Sequence, residues 1–112
     1  MSFFLCFRHP VRPRAEWSVT LAEHLDWMRR RHDDGSVVMS GPVRDLSFSI
    51  YLIRAESPEA AEVIAAADPF TVSGDCRFEL FDWDVHQIMG AGDFEKPLRA
   101  RVGSRPGEGG EH

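Results

Sequence analysis

His24 is the residue of this chain whose position most suggests chemistry, because it interrupts the apolar stripe of a helix. The helix is predicted from about residue 15 to residue 34, and one of its faces carries Leu21, His24, Leu25 and Met28. That face must pack on a sheet, so we expect the imidazole to be partly buried and to need partners for one donor and one acceptor. The most suggestive partner is Asp68, which ends the second predicted helix just before Pro69.

A histidine bound by a carboxylate can transfer protons at neutral pH. The carboxylate fixes the tautomer and supports the charged imidazolium, while burial opposes the charge. A positioned acid–base of this kind is worth about 10²–10⁴ in rate. It suits proton transfer beside a carbonyl, as in isomerisation or in elimination of chloride. The structural alternative is that His24 satisfies its ring nitrogens against backbone and that Asp68 only terminates a helix.

Four further residues are candidates for contacts with a substrate. His9 follows the first predicted strand and could reach the same end of the sheet as His24. Ser40 could donate to a ligand or serve as a turn hydroxyl, and Pro42 borders a loop that could shape the mouth of a pocket. Phe70 belongs to a set of aromatic residues that could line a pocket for a flat ring, together with Phe48, Tyr51, Phe81 and Trp83.

A metal site built from His9, His24 and Asp68 is the alternative use of these side chains. Their spacing matches no metal-binding signature, and the sequence has no phosphate-binding glycine loop and no zinc motif. We therefore expect neither a metal nor a cofactor, and a small-molecule substrate transformed by proton chemistry alone.

The composition is that of an ordinary globular domain. The chain has 112 residues, of which 43% are hydrophobic and 28% charged, with a formal net charge of −5. This balance argues against nucleic acid, since aspartates cancel the basic run at 29–31. Cys6 and Cys76 fit no metal spacing and are expected to be reduced core residues. No apolar stretch resembles a signal peptide or a membrane span, which predicts a cytoplasmic protein without a membrane partner.

Apolar runs and turn residues predict the element order βαββαβ. Strands are expected over 2–8, 37–39, 47–54 and 76–85, with helices over 15–34 and 57–68. The second helix is expected to bury Ala60, Val63, Ile64 and Ala67. This order is a split βαβ unit, so we predict an α+β, ferredoxin-like fold with a four-stranded antiparallel sheet and two helices on one face. Residues 1–90 form this domain, and 91–112 are a C-terminal extension whose Gly, Pro and Glu content predicts a largely flexible tail.

The first strand carries apolar side chains on both of its faces. Phe3, Leu5 and Phe7 point one way, and Phe4 and Cys6 point the other way. The helices can cover only one face, and the remaining chain is polar. We therefore expect a second copy of the sheet to cover the other face, giving a homodimer with its sheets face to face.

Several short motifs occur in a defined order over residues 2–88. They are Phe3–Phe7, His24-Leu25, Asp34-Gly35, Gly41-Pro42, Ser57-Pro58-Glu59-Ala60-Ala61, Ala67-Asp68-Pro69-Phe70 and Gly74. The set resembles the YCII-like (YciI-related) family of the dimeric α+β barrel superfamily, which also includes muconolactone isomerases. The resemblance implies a ferredoxin-like dimer with a pocket on each subunit, and it carries the family's proposed catalytic pair onto His24 and Asp68. Relatives include a dehydrochlorinase of chlorinated hydroxyquinols.

Two functions of different classes follow from these observations. The first is a cofactor-independent lyase or isomerase acting on a small cyclic or aromatic-derived substrate, with His24 as the general acid/base and Asp68 as its orienting partner. The alternative is a non-catalytic dimeric module that binds a small ligand or a partner through the same crevice.

Overall fold

The structure is a computed structural model that describes residues 1–90 and the backbone of residues 92 and 93. Its elements in chain order are β1 (Ser2–Pro10), α1 (Leu21–Asp33), β2 (Val37–Pro42), β3 (Ser49–Ala55), α2 (Pro58–Ala66), α3 (Pro69–Val72), β4 (Cys76–Trp83), β5 (Gln87–Ile88) and β6 (Gly92–Asp93). A 3-10 turn at Arg14–Glu16 precedes α1. Most of the predicted C-terminal extension therefore lies outside the described residues.

Strands β1 to β4 form one antiparallel sheet in the order β2-β3-β1-β4. Near the middle of β1, Leu5 lies opposite Leu52 of β3 on one side and Phe81 of β4 on the other. The helices pack on one face of this sheet, which confirms the predicted α+β, ferredoxin-like arrangement. The single-turn helix α3 and the β5–β6 ladder are additional to the prediction.

The first helix begins at Leu21, later than the predicted start near residue 15. The hydroxyl of Thr20 caps it by accepting a backbone hydrogen bond at 3.2 Å. Immediately before the cap, the N–H groups of Ser18 and Val19 donate to the side chain of Asp75. These donors are therefore satisfied by a carboxylate from a distant part of the chain, an interaction that helical periodicity does not reveal.

The buried face of α1 is narrower than predicted. His24 and Met28 are 7% and 5% exposed, whereas Leu21 and Leu25 are 53% and 48% exposed. The imidazole is therefore buried on the side of the helix that packs on the sheet. The side chains of the two leucines lie at the edge of that side and are about half exposed to solvent.

The buried face of the second helix overlaps only in part with the predicted one, since Ala60 and Ile64 are partly buried against the core as expected. Ser57 caps it as expected, accepting a backbone hydrogen bond at 3.1 Å. The buried residues are Ala61 and Ala65, while Val63 and Ala67 are exposed, so the prediction for these last two was wrong. Two alanines four positions apart lie on one side of a helix and let its backbone approach the sheet closely.

Alternation along β1 separates two chemically different faces of the sheet. Phe4, Cys6 and Arg8 lie beneath the helices, where Tyr51 and Ile53 of β3 complete the core. The opposite face, called the open face below, carries partly or largely exposed apolar side chains: Phe3, Leu5, Phe7, Met39, Ile50, Leu52, Phe81 and Trp83.

Both cysteines are free and buried, as predicted. Burial raises the pKa of the Cys6 thiol to about 12 and also raises the pKa of Cys76. Both groups are therefore protonated at neutral pH and unreactive as nucleophiles. Over the described part of the chain, no helix combines the length and apolarity needed to cross a bilayer.

Asp75 anchors the segment before α1 to the start of β4. Its side chain is buried, and Oδ2 accepts from the N–H groups of Ser18 and Val19 at 2.9 and 3.3 Å and from the Ser18 hydroxyl at 3.2 Å. Arg12 Nη1 lies 3.4 Å from Oδ1. Burial alone raises the pKa of this carboxyl, but hydrogen bonding with Ser73 and Ser18 outweighs it and holds the pKa below 3.8.

We expect Asp75→Asn to lower the melting temperature by several degrees. The substitution keeps the size of the side chain but removes its negative charge. The hydrogen bonds from the backbone N–H groups and the ion pair with Arg12 are weakened as a result. Thermal unfolding followed by circular dichroism at pH 7 measures the change. Asp33→Asn, at an exposed position at the end of α1, is the matched control and should leave the melting temperature almost unchanged. Equal melting temperatures for all three proteins would contradict the anchoring role.

Candidate active site

Asp68 is the centre of a buried hydrogen-bond network, called the Asp68 network below. The residue is fully shielded from solvent. Its Oδ1 accepts from His24 Nδ1 at 3.0 Å and from the Phe70 backbone N–H at 3.0 Å. Its Oδ2 accepts from the Tyr51 hydroxyl at 2.6 Å and from Arg8 Nη1 at 3.1 Å. These four donors satisfy both oxygens of an ionised carboxylate, which removes the penalty of burying it unpaired.

Separate elements bring these donors to one point. Asp68 is the N-cap of α3, so its side chain folds back to accept from the backbone of Phe70. Arg8 near the end of β1 and Tyr51 in β3 both point beneath the helices because side chains alternate along a strand. His24 lies one turn into α1, on its buried face.

Asp68 is ionised at neutral pH. Burial alone raises the pKa of this carboxyl, but hydrogen bonds from His24 and Tyr51 and the positive charge of Arg8 outweigh it and hold the pKa below 3.8. Burial and the charge of Asp68 together raise the pKa of the Tyr51 hydroxyl. Tyr51 therefore remains protonated and acts only as a donor to the carboxylate.

The ionised carboxylate determines the tautomer of His24. Asp68 can only accept, so Nδ1 of the ring carries the proton and Nε2 carries the lone pair. Arg8 Nη1 lies 3.3 Å from Nδ1 and 3.2 Å from Nε2. An atom so nearly equidistant lies against the ring rather than along the in-plane lone pair of Nε2. The ring also stacks on Phe70, with centroids 4.8 Å apart and planes at 19°. Arg8 therefore does not occupy the in-plane direction of Nε2, which is the direction in which this nitrogen can act on a ligand.

Arg8 is the site residue that the sequence prediction missed. It is 5% exposed, its Nη2 donates to Ser49 Oγ at 3.2 Å, and its guanidinium carbon lies 4.9 Å from the centre of the Phe70 ring. Alternation contains a signal for it, because position 8 continues the core face that Phe4 and Cys6 begin. A charged side chain on a core face is rare unless it is paired. Arg8 therefore marks a buried partner.

A cavity of about 440 Å³, called the site cavity below, borders the Asp68 network. Five residues that the sequence suggested for the site line it: His24, Ser40, Pro42, Tyr51 and Phe70. Arg8 also contributes to its wall, and so do the half-exposed Leu21 and Leu25 of α1. The hydroxyl of Ser40 lies 2.9 Å from Nε2 of His32, so α1 positions it. The volume is in the range that accommodates a small ligand.

The structure does not bring His9 to this site, so that prediction was wrong. Residue 9 follows Arg8 in β1, and alternation turns its side chain to the open face, where it lies 2.7 Å from Glu79. The alternative metal cluster of His9, His24 and Asp68 is therefore not assembled. Among the aromatic candidates, Phe81 and Trp83 lie on the open face, and neither they nor Phe48 line the site cavity.

We expect Asp68→Asn to lower the free energy of unfolding by about 3–5 kcal/mol at pH 7, because it leaves Arg8 buried without its counter-charge. This loss depends on pH. The depressed pKa of Asp68 means that its carboxylate stabilises the fold above about pH 4 and that the stabilisation is lost as the pH falls through the folded-state pKa. The difference between wild type and variant should therefore shrink below about pH 4.

Urea denaturation over a series of pH values measures this dependence. Tyr51→Phe is the control, since it removes one donor to Asp68 but keeps the charge pair with Arg8. It should cost about 1–3 kcal/mol and retain most of the wild-type response to acid. A difference between wild type and Asp68→Asn that is constant from pH 7 to pH 3 would show that the carboxylate is not ionised in the fold.

Comparisons with known proteins agree with this architecture. The model of the YCII-related domain matches residues 3–84. The uncharacterised protein YjpA of Bacillus subtilis (strain 168) is 32% identical over 65 residues, which cover 58% of this chain and 76% of the relative.

Among solved structures, a similar one is 5-chloro-2-hydroxyhydroquinone dehydrochlorinase (TftG) from Burkholderia phenoliruptrix AC1100, in complex with 2,5-dihydroxybenzoquinone. It matches with a TM-score of 0.58 and 23% sequence identity, over 73% of this chain and 93% of that chain. This likeness shows a shared fold. Because the family model covers most of the sequence, the protein belongs to the family of YCII-related domain proteins.

Proposed function

We propose that this protein is a cofactor-independent lyase or isomerase in which His24 transfers a proton and Asp68 orients it. The observation that carries the proposal is the His24 imidazole, which lies 3.0 Å from the buried carboxylate of Asp68 and lines a cavity of about 440 Å³. The substrate is a small cyclic or aromatic-derived molecule with an acidic C–H or O–H group in conjugation with a carbonyl.

The reaction begins when Nε2 of His24 accepts the acidic proton of the substrate. The electron pair of the broken bond moves into the conjugated system, and the carbonyl becomes an enolate. Arg8 lies against the same imidazole and supplies positive charge for the developing oxyanion. Asp68 stabilises the imidazolium that forms on His24, in the manner of a triad carboxylate.

The fate of the electron pair separates the two reaction types. In an isomerisation, the imidazolium returns its proton to a different carbon of the substrate. In an elimination, the electron pair expels a leaving group such as chloride, and the proton passes to water. Neither course requires an electron acceptor or a second substrate, and positioned proton transfer contributes about 10²–10⁴ in rate.

The fold neighbour supports this class of chemistry. TftG is a dehydrochlorinase, and its complex contains a dihydroxybenzoquinone, which is a flat conjugated ring. In the present chain, the site cavity is bordered by Phe70, which already stacks on His24. Aromatic surface of this kind suits a planar ligand held beside the imidazole.

A non-catalytic ligand-binding module is the second candidate. The observation that favours it is the complete hydrogen bonding of Asp68, which a purely structural polar cluster also requires. In that case the site cavity binds a small molecule without any proton transfer to His24.

We expect His24→Ala to reduce turnover by about a hundredfold or more while the protein stays folded, because Nε2 is the proton acceptor. The measurement is chloride release from 5-chloro-2-hydroxyhydroquinone, together with deuterium incorporation from solvent into 2,5-dihydroxybenzoquinone followed by NMR. His86→Gln, outside the site cavity, is the matched control and should behave as wild type.

The same measurements separate the two candidates. Retained turnover in His24→Ala would sink the catalytic role of the imidazole. Binding of 2,5-dihydroxybenzoquinone without any solvent exchange in the wild type, unchanged in His24→Gln, would favour the binding module instead.

We further propose that the open face of the sheet is covered by the same face of a second copy. Phe81 and Trp83 are 48% and 47% exposed on this face, next to further apolar side chains of β1. An exposed apolar cluster of this kind, bordered by the His9–Glu79 pair, is typical of an interface. A self-complementary surface with two-fold symmetry closes after two copies, which yields a homodimer.

We expect the wild type to be a dimer by sedimentation velocity and Phe81→Glu to shift it toward monomer, because the carboxylate would be buried opposite apolar side chains. The control is Val63→Glu, the same kind of change on the outer face of α2, where the side chain is 70% exposed. It should leave the sedimentation coefficient unchanged. A monomeric wild type, or a dimer that survives in Phe81→Glu, would refute this arrangement.

A further inference from the structure

Arg14 is a cation in the lining of the site cavity, and no acidic partner for it lies within residues 1–90. It lies in the 3-10 turn before α1 and borders the site cavity together with Arg8 and His24. Among residues 1–90, no carboxylate forms an ion pair with it, whereas Arg8 is paired with Asp68. The charge of Arg14 is therefore available to a ligand.

A second, smaller cavity lies next to the first. It measures about 300 Å³ and shares four lining residues with the site cavity: Arg8, Arg14, Leu46 and Ser49. Arg12 borders it as well. Neither lining contains an aspartate or a glutamate, although the chain as a whole has a formal net charge of −5. Arg8 and Arg12 are already paired with Asp68 and Asp75, so Arg14 is the arginine of these linings whose charge the ion pairs of residues 1–90 leave uncompensated.

The backbone that carries Arg14 is held in place. Trp17 Nε1 donates to the Arg12 carbonyl at 2.8 Å, and the N–H of Trp17 donates to the Arg14 carbonyl at 3.1 Å. Beyond the turn, the buried carboxylate of Asp75 accepts from Ser18. The turn is consequently held by hydrogen bonds at both ends. Ligand binding therefore carries little entropic cost for ordering its backbone.

The side chain of Arg14 is oriented by an aromatic path that leads to the imidazole. Its guanidinium carbon lies 4.9 Å from the centre of the Trp17 ring. Trp17 packs on Phe70 with centroids 4.6 Å apart, and Phe70 stacks on His24. Arg14 and His24 both line the site cavity, so one ligand in that cavity can contact both side chains.

We infer that the site cavity selects anionic planar substrates, and that Arg14 binds their carboxylate while the conjugated ring lies beside Phe70 and His24. This inference rests on the proposed function and names the class of its substrate. Arginine suits the role because its planar donors match a two-oxygen anion. Arg14 is a binding residue here, and the proton transfer remains with His24.

The test compares 4-hydroxybenzoate with 4-hydroxybenzamide by isothermal titration calorimetry at pH 7. The two probes share size and ring but differ in charge. The wild type should bind the acid about tenfold or more tightly than the amide, and Arg14→Gln should lose about tenfold of that preference, a change typical of one charge-assisted contact. Arg14→Lys should keep part of it. Arg29→Gln, an exposed charge on α1 outside both cavities, is the control and should keep all of it.

Equal affinity of the wild type for acid and amide would overturn the inference, as would an unchanged preference in Arg14→Gln or an equal loss in Arg29→Gln. His24→Gln separates this outcome from the proposed function. If His24→Gln abolishes proton exchange while Arg14→Gln keeps the preference, the catalysis stands and the anion site fails. If the preference depends on Arg14 but the wild type exchanges no proton, the anion site stands and the catalysis fails.

Discussion

The buried ion pair between Arg8 and Asp68 is the interaction on which the site depends. Each charge is almost completely removed from water, and removing either one leaves the other uncompensated in the core. The geometry limits that cost, because Tyr51, His24 and the backbone of Phe70 complete the hydrogen bonds of the carboxylate. A pair of this kind adds little net stability compared with apolar packing. In this chain both members of the pair also contact the His24 ring, Arg8 Nη1 at 3.2 Å from Nε2 and Asp68 Oδ1 at 3.0 Å from Nδ1.

Two buried aspartates hold α1 and the segment before it in position. Asp68 caps α3 and holds the imidazole, while Asp75 near the start of β4 holds the segment that leads into α1. Asp68, at one end of the 68–75 segment, binds His24 in α1. Asp75, at the other end, binds the backbone of Ser18 and Val19 just before α1. The position of His24 over the sheet therefore follows from contacts at two places rather than from α1 alone. A carboxylate can do this because it accepts several hydrogen bonds from backbone and side chains at once.

Sequence patterns predict the architecture better than they predict the site. The order βαββαβ follows from local periodicity and from caps such as Ser57, and the structure has that order. The predicted elements are wrong where contacts with residues distant in sequence determine the structure. Asp75 binds the backbone just before α1, which begins later than predicted. In α2, close packing on the sheet buries Ala61 and Ala65 and not Val63. The structure brings His24 and Asp68 together at 3.0 Å, while their catalytic role remains a prediction. Arg8 was missed because a charge at a strand end is usually interpreted as solvent-exposed.

The register of β1 links the site to the open face. Side chains with even numbers, such as Cys6 and Arg8, lie beneath the helices, and those with odd numbers, such as Phe7 and His9, lie on the other side. A slip of one residue would exchange these sets, burying His9 and exposing Arg8. Apolar contacts alone discriminate weakly against that slip, since β1 has phenylalanines on both faces. The pairing of Arg8 with Asp68 discriminates strongly, because only one register gives the buried carboxylate its cation. The same contact that orients the imidazole thereby also selects which residues the open face presents.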